Sequence, residues 1–190
     1  MVETVQSLLA QSSMPSGGRV LGEGLRLTVL PPRTVVQLQL GAKSLKTAGA
    51  IRIAGRALPG AINSWSGEDP ALCQLAPDTW WIVSSLHEAA DLIDATRRGC
   101  GRRKAVITEL SDAYMFLALD GPGADAVLAR GCGIDLSLSS FGPEACTRTR
   151  LAQLPVVLRR LTQERIECAV DRSVAQYLFD WLEDAAGGVS

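Results

Sequence analysis

The feature that most constrains this chain is a pattern that occurs twice. Leu38-Gln39-Leu40-Gly41 closes one run of alternating apolar and polar residues, and Leu117-Ala118-Leu119-Asp120-Gly121 closes another. The two lie about 80 residues apart, and two further motifs lie about 88 apart, which is the signature of an internal duplication. Those motifs are Ser85-Leu86-His87-Glu88 and Ser173-Val174-Ala175-Gln176. Each reads as a capping box, in which a serine hydroxyl accepts an unpaired helix N–H and Glu or Gln reaches back. Strands therefore come in runs, with helices between the runs. That order predicts an α+β fold with largely antiparallel sheets, not a doubly wound parallel one.

The individual elements follow from period and punctuation. Leu25–Leu30 and Val35–Leu40 alternate around Pro31-Pro32 and read as two strands, with Val36, Leu38 and Leu40 on one face. Ala42–Ile51 reads as a short helix. Ala57–Asp69, rich in Pro, Gly and Asn, reads as a loop with Trp65 in its middle. Leu72–Leu75 and Trp80–Ser84 are strands about an Ala76-Pro77-Asp78-Thr79 turn. The helix after Ser85 is expected to turn Leu86, Ala89, Ala90, Leu92 and Ile93 inward and to end at Arg97-Arg98-Gly99. In the second half, Val106–Leu110, Tyr114–Leu119, Thr147–Leu151, Val156–Leu161 and Ile166–Val170 read as strands, with a helix over Ala124–Arg130. Val174, Tyr177, Leu178, Trp181 and Leu182 form the apolar stripe of a last helix. The organisation expected is an arm over 1–24, one domain over 25–186 made of two pseudo-repeats (about 25–104 and 105–186), and a tail over 187–190.

Composition narrows the function. Nineteen Lys and Arg against twenty Asp and Glu leave a net charge of −1, so no global field draws the chain to nucleic acid. One histidine, His87, makes a multi-histidine metal site untenable and leaves a single candidate base for any Ser or Cys triad. Five cysteines, none spaced as Cys-x-x-Cys, read as buried free thiols in a reducing compartment. No apolar run approaches the ~20 residues of a membrane span, and the first residues carry no signal-peptide pattern. A cytoplasmic protein without membrane attachment is expected.

Several local motifs have both a chemical and a structural reading. Gly121-Pro122-Gly123-Ala124-Asp125-Ala126 fits a loose dinucleotide fingerprint, but no parallel βαβ unit follows, so a helix-initiating turn is the better reading. Arg97, Arg98, Arg102, Arg103 and Lys104 read as a solvated helix end. Glu109 and Asp112 flank a turn and read as solvated. His87 is placed at a helix start, where an imidazolium is disfavoured. Trp80 and Trp81 are adjacent on a strand and must face opposite ways, one into a core and one onto the other sheet face or an interface. Arg148 and Arg150 alternate on a strand and share a face. Arginine there is a candidate partner contact.

Six segments in register carry a resemblance. Leu117-Ala-Leu-Asp-Gly-Pro-Gly-Ala124, Ala129-Arg-Gly-Cys-Gly-Ile-Asp-Leu136, Phe141-Gly-Pro-Glu-Ala-Cys-Thr-Arg-Thr149 and Asp171-Arg-Ser-Val-Ala-Gln-Tyr-Leu-Phe-Asp-Trp-Leu182 occur in this order, preceded by the Leu58-Pro-Gly-Ala-Ile-Asn63 loop and the Leu75-Ala-Pro-Asp-Thr-Trp80 turn. Together they resemble the gamma subunit of heterotetrameric sarcosine oxidase. The resemblance covers about residues 25–186. Gly133, Asp171 and Ser111-Asp112 depart from the family pattern.

The resemblance implies a fold similar to the folate-binding domain of the glycine-cleavage T protein. It implies a non-catalytic structural subunit, with no catalytic, cofactor or metal residues of its own, in a complex that demethylates sarcosine to glycine and passes one carbon to tetrahydrofolate. Its partners would be alpha, beta and delta subunits. The beta-like subunit would hold FAD and covalent FMN, the alpha-like subunit NAD and tetrahydrofolate, and the delta-like subunit zinc. Trp65, Arg148, Arg150 and Arg172 are the candidate interface residues. The departures keep two alternatives open: a related N-methyl amino acid complex such as an N-methylglutamate dehydrogenase, and a stand-alone folate-binding or aminomethyl-transfer protein.

Overall fold

The computed structural model describes residues 17–21 and 24–187. Its strands are β1 (Gly18–Val20), β2 (Arg26–Val29), β3 (Thr34–Leu40), β4 (Arg52–Ile53), β5 (Arg56–Ala57), β6 (Ser64–Ser66), β7 (Ala71–Ala76), β8 (Thr79–Ser84), β9 (Ala105–Glu109), β10 (Tyr114–Asp120), β11 (Cys146–Leu151), β12 (Leu154–Arg160) and β13 (Arg165–Asp171). Its helices are α1 (Ala42–Leu45), α2 (Ala89–Cys100), α3 (Ala124–Ala129) and α4 (Ala175–Gly187). Every strand pair is antiparallel, as the runs of strands predict.

Two sheets carry the fold. One has the order β6-β7-β8-β3-β9 and the other β1-β2-β10-β13-β12-β11. The first takes β9 from the second half of the sequence, and the second takes β1 and β2 from the first. β2 pairs with β10 while its successor β3 pairs with β8 and β9. The β2–β3 connection thus crosses from sheet to sheet through Pro31-Pro32, which have no N–H to leave unpaired. The β9–β10 connection crosses back through Leu110–Ala113, where Leu110 N–H donates to Val35 O. Apart from the extra edge strand β1, the two orders correspond strand for strand.

The sheets stack, and their alternating side chains make three apolar layers. Val36, Leu38, Leu72, Trp80 and Ile82 pack outward against α2 and the Ile51–Leu58 segment. Met115, Leu117, Leu119, Leu158, Ile166 and Val170 pack outward against α3 and α4. Between the sheets lie Val35, Cys73, Trp81 and Val83 from one side and Phe116, Cys146, Val157 and Ala169 from the other. Trp80 and Trp81 are both buried and face opposite layers. Burying one such indole removes roughly 150–250 Å² from water, an upper bound of ~4–6 kcal/mol.

Local expectations are corrected in several places. Neither capping serine caps its helix. α2 starts at Ala89, after Glu88, with no side-chain cap, and Leu86 is 80% exposed instead of packed inward. The second cap is Asp171, whose carboxylate accepts the Ser173 N–H and hydroxyl. A preceding carboxylate outcompetes the serine because it is the stronger acceptor. α2 does not stop at Gly99: it runs to Cys100, and Gly101, at φ 57°, follows it. The stripe of α4 is rotated by about one residue. Leu178, Phe179, Leu182 and Ala186 are buried, Trp181 is half-buried, and Tyr177 is exposed. The Ala42–Ile51 helix is a single turn followed by a 3-10 turn. The Ala57–Asp69 loop contains strand β6, with Trp65 at its centre. Of the expected arm, residues 1–16 and 22–23 lie outside the described residues, and Gly18–Val20 pairs with β2. Of the expected tail, Gly187 ends α4 and 188–190 lie outside the described residues.

Gly99 explains why α2 can lie so close to the β4 hairpin. A Cβ at this position would stand 2.3 Å from Arg52 O. Gly99→Ala should gain helix propensity yet lose more to the backbone clash, a net destabilisation of about 1–3 kcal/mol in urea unfolding. Gly60→Ala, where nothing lies within 4 Å of the added methyl, should stay within about 0.5 kcal/mol. A Gly99→Ala chain as stable as wild type would show that α2 is free to shift.

Candidate functional site: an arginine-lined cleft beside the inter-sheet layer

Two sequence positions, Arg159 and Glu167, put charge where apolar residues are due. β12 and β13 alternate, so Val157, Arg159, Glu167 and Ala169 all face the other sheet. Glu167 lies between Ile166 and Cys168 and retains only 3% of its side-chain exposure. A carboxylate buried so deeply requires cationic partners. Arg33, from the crossing between β2 and β3, donates to both oxygens at 2.6 and 2.9 Å. Arg159 donates at 2.6 Å and Arg165 at 3.4 Å, and Arg165 also holds Asp120 at 2.8 Å. Burial would raise the Glu167 carboxyl, but the Arg33 bonds and the Arg159 and Arg33 charges outweigh it and hold it at about 2. The guanidinium of Arg33 lies over Phe116 at 5.1 Å and that of Arg159 over Trp65 at 4.7 Å.

This cluster forms one wall of a cleft of about 300 Å³. The opposite wall is acidic and comes from the β6–β7 loop and the end of β8: Glu68, Asp69, Ser84 and Ser85. Asp69 accepts the Ser84 hydroxyl, the Ser85 hydroxyl at 2.6 Å and the Ser85 N–H at 2.8 Å. Burial would raise its carboxyl, but these bonds and His87 bring it down to about 2. His87 Nδ1 lies 2.9 Å from Ser84 Oγ and 3.3 Å from Asp69 Oδ1. Ser84 Oγ also accepts the Leu86 and His87 N–H groups. The serine and histidine are thus held in a turn, not aligned as nucleophile and base.

The four candidate interface residues are dispersed. Trp65 is half-buried, donates through Nε1 to Arg160 O at 3.0 Å, and helps join the sheets through its N–H to Glu144 O. Arg172 donates to Asp112 O at 2.8 Å. Arg148 and Arg150 are exposed on β11, and Arg148 stacks over Trp81 at 5.6 Å. Arg148 therefore borders the inter-sheet layer, not a wholly polar face. Arg33, Arg159, Arg165 and Glu167 were missed by sequence reasoning. The available signal was Glu167 at an apolar register position and an apolar β12 run ending in Arg159-Arg160, which point to opposite faces. Arg160 is fully buried and ties Asp125, Leu136 O and Gln163 O together.

The other motifs resolve structurally. Gly121, at φ 119°, brings the turn against Gly24 O, where a Cβ would stand 2.0 Å away. All five cysteines are buried and unpaired, and burial pushes the Cys168 thiol up. Among the described residues, no group of three or more His, Cys, Asp or Glu could hold a metal ion, and no helix is long and apolar enough to cross a membrane.

Comparison with known proteins adds the following. The family described as "Sarcosine oxidase, gamma subunit family" matches residues 41–188. Sarcosine oxidase subunit gamma of Corynebacterium sp. (strain U-96) is 29% identical over 133 residues, covering 69% of this chain and 64% of that relative. The chain thus spans just under two thirds of that relative's length. The protein of the same name from Corynebacterium sp. (strain P-1) is 28% identical over 153 residues, covering 77% and 74%. The fold is similar to a chain of heterotetrameric sarcosine oxidase from Corynebacterium sp. U-96, solved with pyrrole 2-carboxylate, with a TM-score of 0.73, 24% identity and 87% of each chain covered. It is also similar to glycine cleavage system aminomethyltransferase T from Bartonella henselae, with a TM-score of 0.61, 16% identity, and 85% of this chain and 46% of that one covered. The expected likeness to the T protein is found, and at these identities it concerns the fold alone.

The buried carboxylate sets the acid stability. Glu167 has its pKa lowered from 4.5 to about 2 in the fold. The native state therefore binds fewer protons than the unfolded one in this window. The stabilisation, about 3 kcal/mol, is full above the unfolded pKa and is lost as pH falls from about 5 to 2. Glu167→Gln should flatten this part of the pH dependence and cost about 3–5 kcal/mol at neutral pH, because Arg33 and Arg159 lose their counter-charge. An unchanged acid limb in the variant would remove Glu167 from this role.

Proposed function

The chain belongs to the sarcosine oxidase gamma subunit family, and from that premise we propose that it is the gamma-type subunit of a heterotetrameric sarcosine oxidase. In this reading it is a cytoplasmic, structural subunit of a complex that oxidises sarcosine to glycine and hands the one-carbon unit to tetrahydrofolate. FAD, FMN, NAD, tetrahydrofolate and zinc belong to its alpha, beta and delta partners. The observation that carries the proposal is the family match across residues 41–188. The duplicated reading of residues 25–186 is supported by the matching strand orders of the two sheets.

Arg148 and Arg150 are the proposed partner contacts. They share one face of β11, and no ion pair engages either among the described residues. Stacking on Trp81 holds the Arg148 guanidinium in place, which reduces the entropy lost when an acidic partner docks. Trp65 and Arg172 are spent on internal bonds, so the contact is assigned to the β11 pair.

Purified alone, the chain should show no flavin absorption, oxidise no sarcosine and bind tetrahydrofolate no tighter than about millimolar, as the fold likeness alone does not confer that site. Co-expressed with its flavin- and zinc-binding partners it should co-purify. Arg148→Ala should leave its melting within about 0.5 kcal/mol of wild type and weaken co-purification, by as much as 2 kcal/mol of binding for a central arginine. A flavin spectrum in the lone chain, or full assembly by the variant, would falsify the corresponding part of the proposal.

A further inference from the structure

The two sheets differ at one edge. β2 and β9 hold equivalent places, beside β10 and β3. β1 lies antiparallel on the outer edge of β2. Among the described residues, no strand lies on the outer edge of β9. Leu110 N–H donates to Val35 O, and Lys104 O accepts the Gly41 N–H. Even-numbered residues of β9 therefore turn their backbone groups to β3, and Ala105, Ile107 and Glu109 turn theirs outward. Open edges are usually blunted by charge or a bulge. β9 has neither in its middle: its register is unbroken, Ala105–Thr108 is uncharged, and Val106 is 62% exposed.

The filled edge shows what the open one lacks. Arg19 of β1 pairs with Leu27 and reaches Glu183 of α4. β8 and α2 begin 86 residues before β13 and α4 (79 and 165, 89 and 175), so Arg97 holds in α2 the place of Glu183 in α4. Ala105, opposite Leu40, holds the place of Leu27, opposite Leu119. The charge on the helix is thus reversed, and a strand on β9 should carry a carboxylate where β1 carries Arg19. β9 itself meets that requirement. Laid antiparallel on a second copy about Ile107, it sets Glu109 of one copy opposite Ala105 of the other, on the face that Ala105 and Ile107 turn to α2. We infer that two copies of this chain pair through β9 as a symmetric dimer, Glu109 of each reaching Arg97 of the other. Arg97 is open to this contact: its one ion pair, to Asp94, is 3.4 Å long and exposed. The same register covers Val106 with Thr108 and brings Arg102 of one copy to the end that holds Asp112 of the other. Two five-stranded sheets become one. β11 lies against β6 and β7, at the far end of the sheet from β9, so Arg148 and Arg150 stay free. The dimer goes beyond the subunit assignment and does not depend on it.

The test is sedimentation velocity of the full 190-residue chain over a concentration series, with amide hydrogen exchange read by NMR on the same samples. The chain should sediment as a reversible dimer with a constant of ~10–100 μM, in keeping with a small interface. The amides of Ala105, Ile107 and Glu109 should exchange freely in dilute chain and become protected as the dimer forms. Glu109→Arg and Arg97→Glu, both exposed substitutions that should not disturb folding, should each weaken the dimer about tenfold. The double variant restores opposite charges across the interface and should return to within about threefold of wild type. A chain that stays monomeric throughout overturns the inference. So does a dimer indifferent to the single variants, or one that the double variant fails to rescue. Protection of the three amides in the dilute monomer would put a segment of the same chain on the β9 edge and overturn it likewise.

Discussion

Stacking two sheets that are apolar on both faces is the constraint on which the rest of the structure depends. A sheet with one apolar face can rest on a single layer of helices. Here the alternation of β3, β8, β10 and β13 places large side chains on both sides, so each sheet must be covered twice. Helices cover the outer faces and the sheets cover each other. The inter-sheet layer is the one neither half can complete alone. Exchange of β2 and β9 between the sheets commits both halves to it, and a bridge between Ser64 of β6 and Ala145, just before β11, closes one side.

Within that layer the Glu167 cluster is the polar exception. Its net value relative to an all-apolar packing is small, since desolvating charges offsets most of their attraction. Its effect is positional. Arg33 sits on the connection that crosses between sheets, so its two bonds to β13 tie the crossing chain to the opposite sheet. The same arginines line a cleft whose other wall is acidic, so the contact that orders the crossing also creates the electrostatic asymmetry of the surface.

Similarity of the fold to both a sarcosine oxidase chain and aminomethyltransferase T shows how little the architecture alone says about chemistry. Carboxylate and histidine groups that the sequence singles out, Asp112, Glu109 and His87, sit at turns. The buried charged pair of Arg159 and Glu167 lies elsewhere, on strands that read as ordinary core.

The sequence by itself determined the elements whose signal is local. Alternation marks β3, short apolar runs mark β7, β8, β10 and β13, Gly and Pro mark the turns between them, and the twofold recurrence implies matching halves. Whatever depended on competition between neighbours was decided by the tertiary structure. Asp171 displaced Ser173 as the cap of the turn that leads into α4, because a carboxylate two residues earlier is a stronger acceptor than a hydroxyl. Gly99 stayed inside α2, because the helix packs on Arg52 O. Strand exchange has no local signature at all: β2 and β9 read as partners of their sequence neighbours, and only the need to cover four sheet faces sends each to the other sheet. The arginine cleft was invisible for the same reason. Arg33, Arg159 and Glu167 lie up to 134 positions apart, and nothing in a linear reading brings a loop arginine to a carboxylate on β13 until the sheets are stacked.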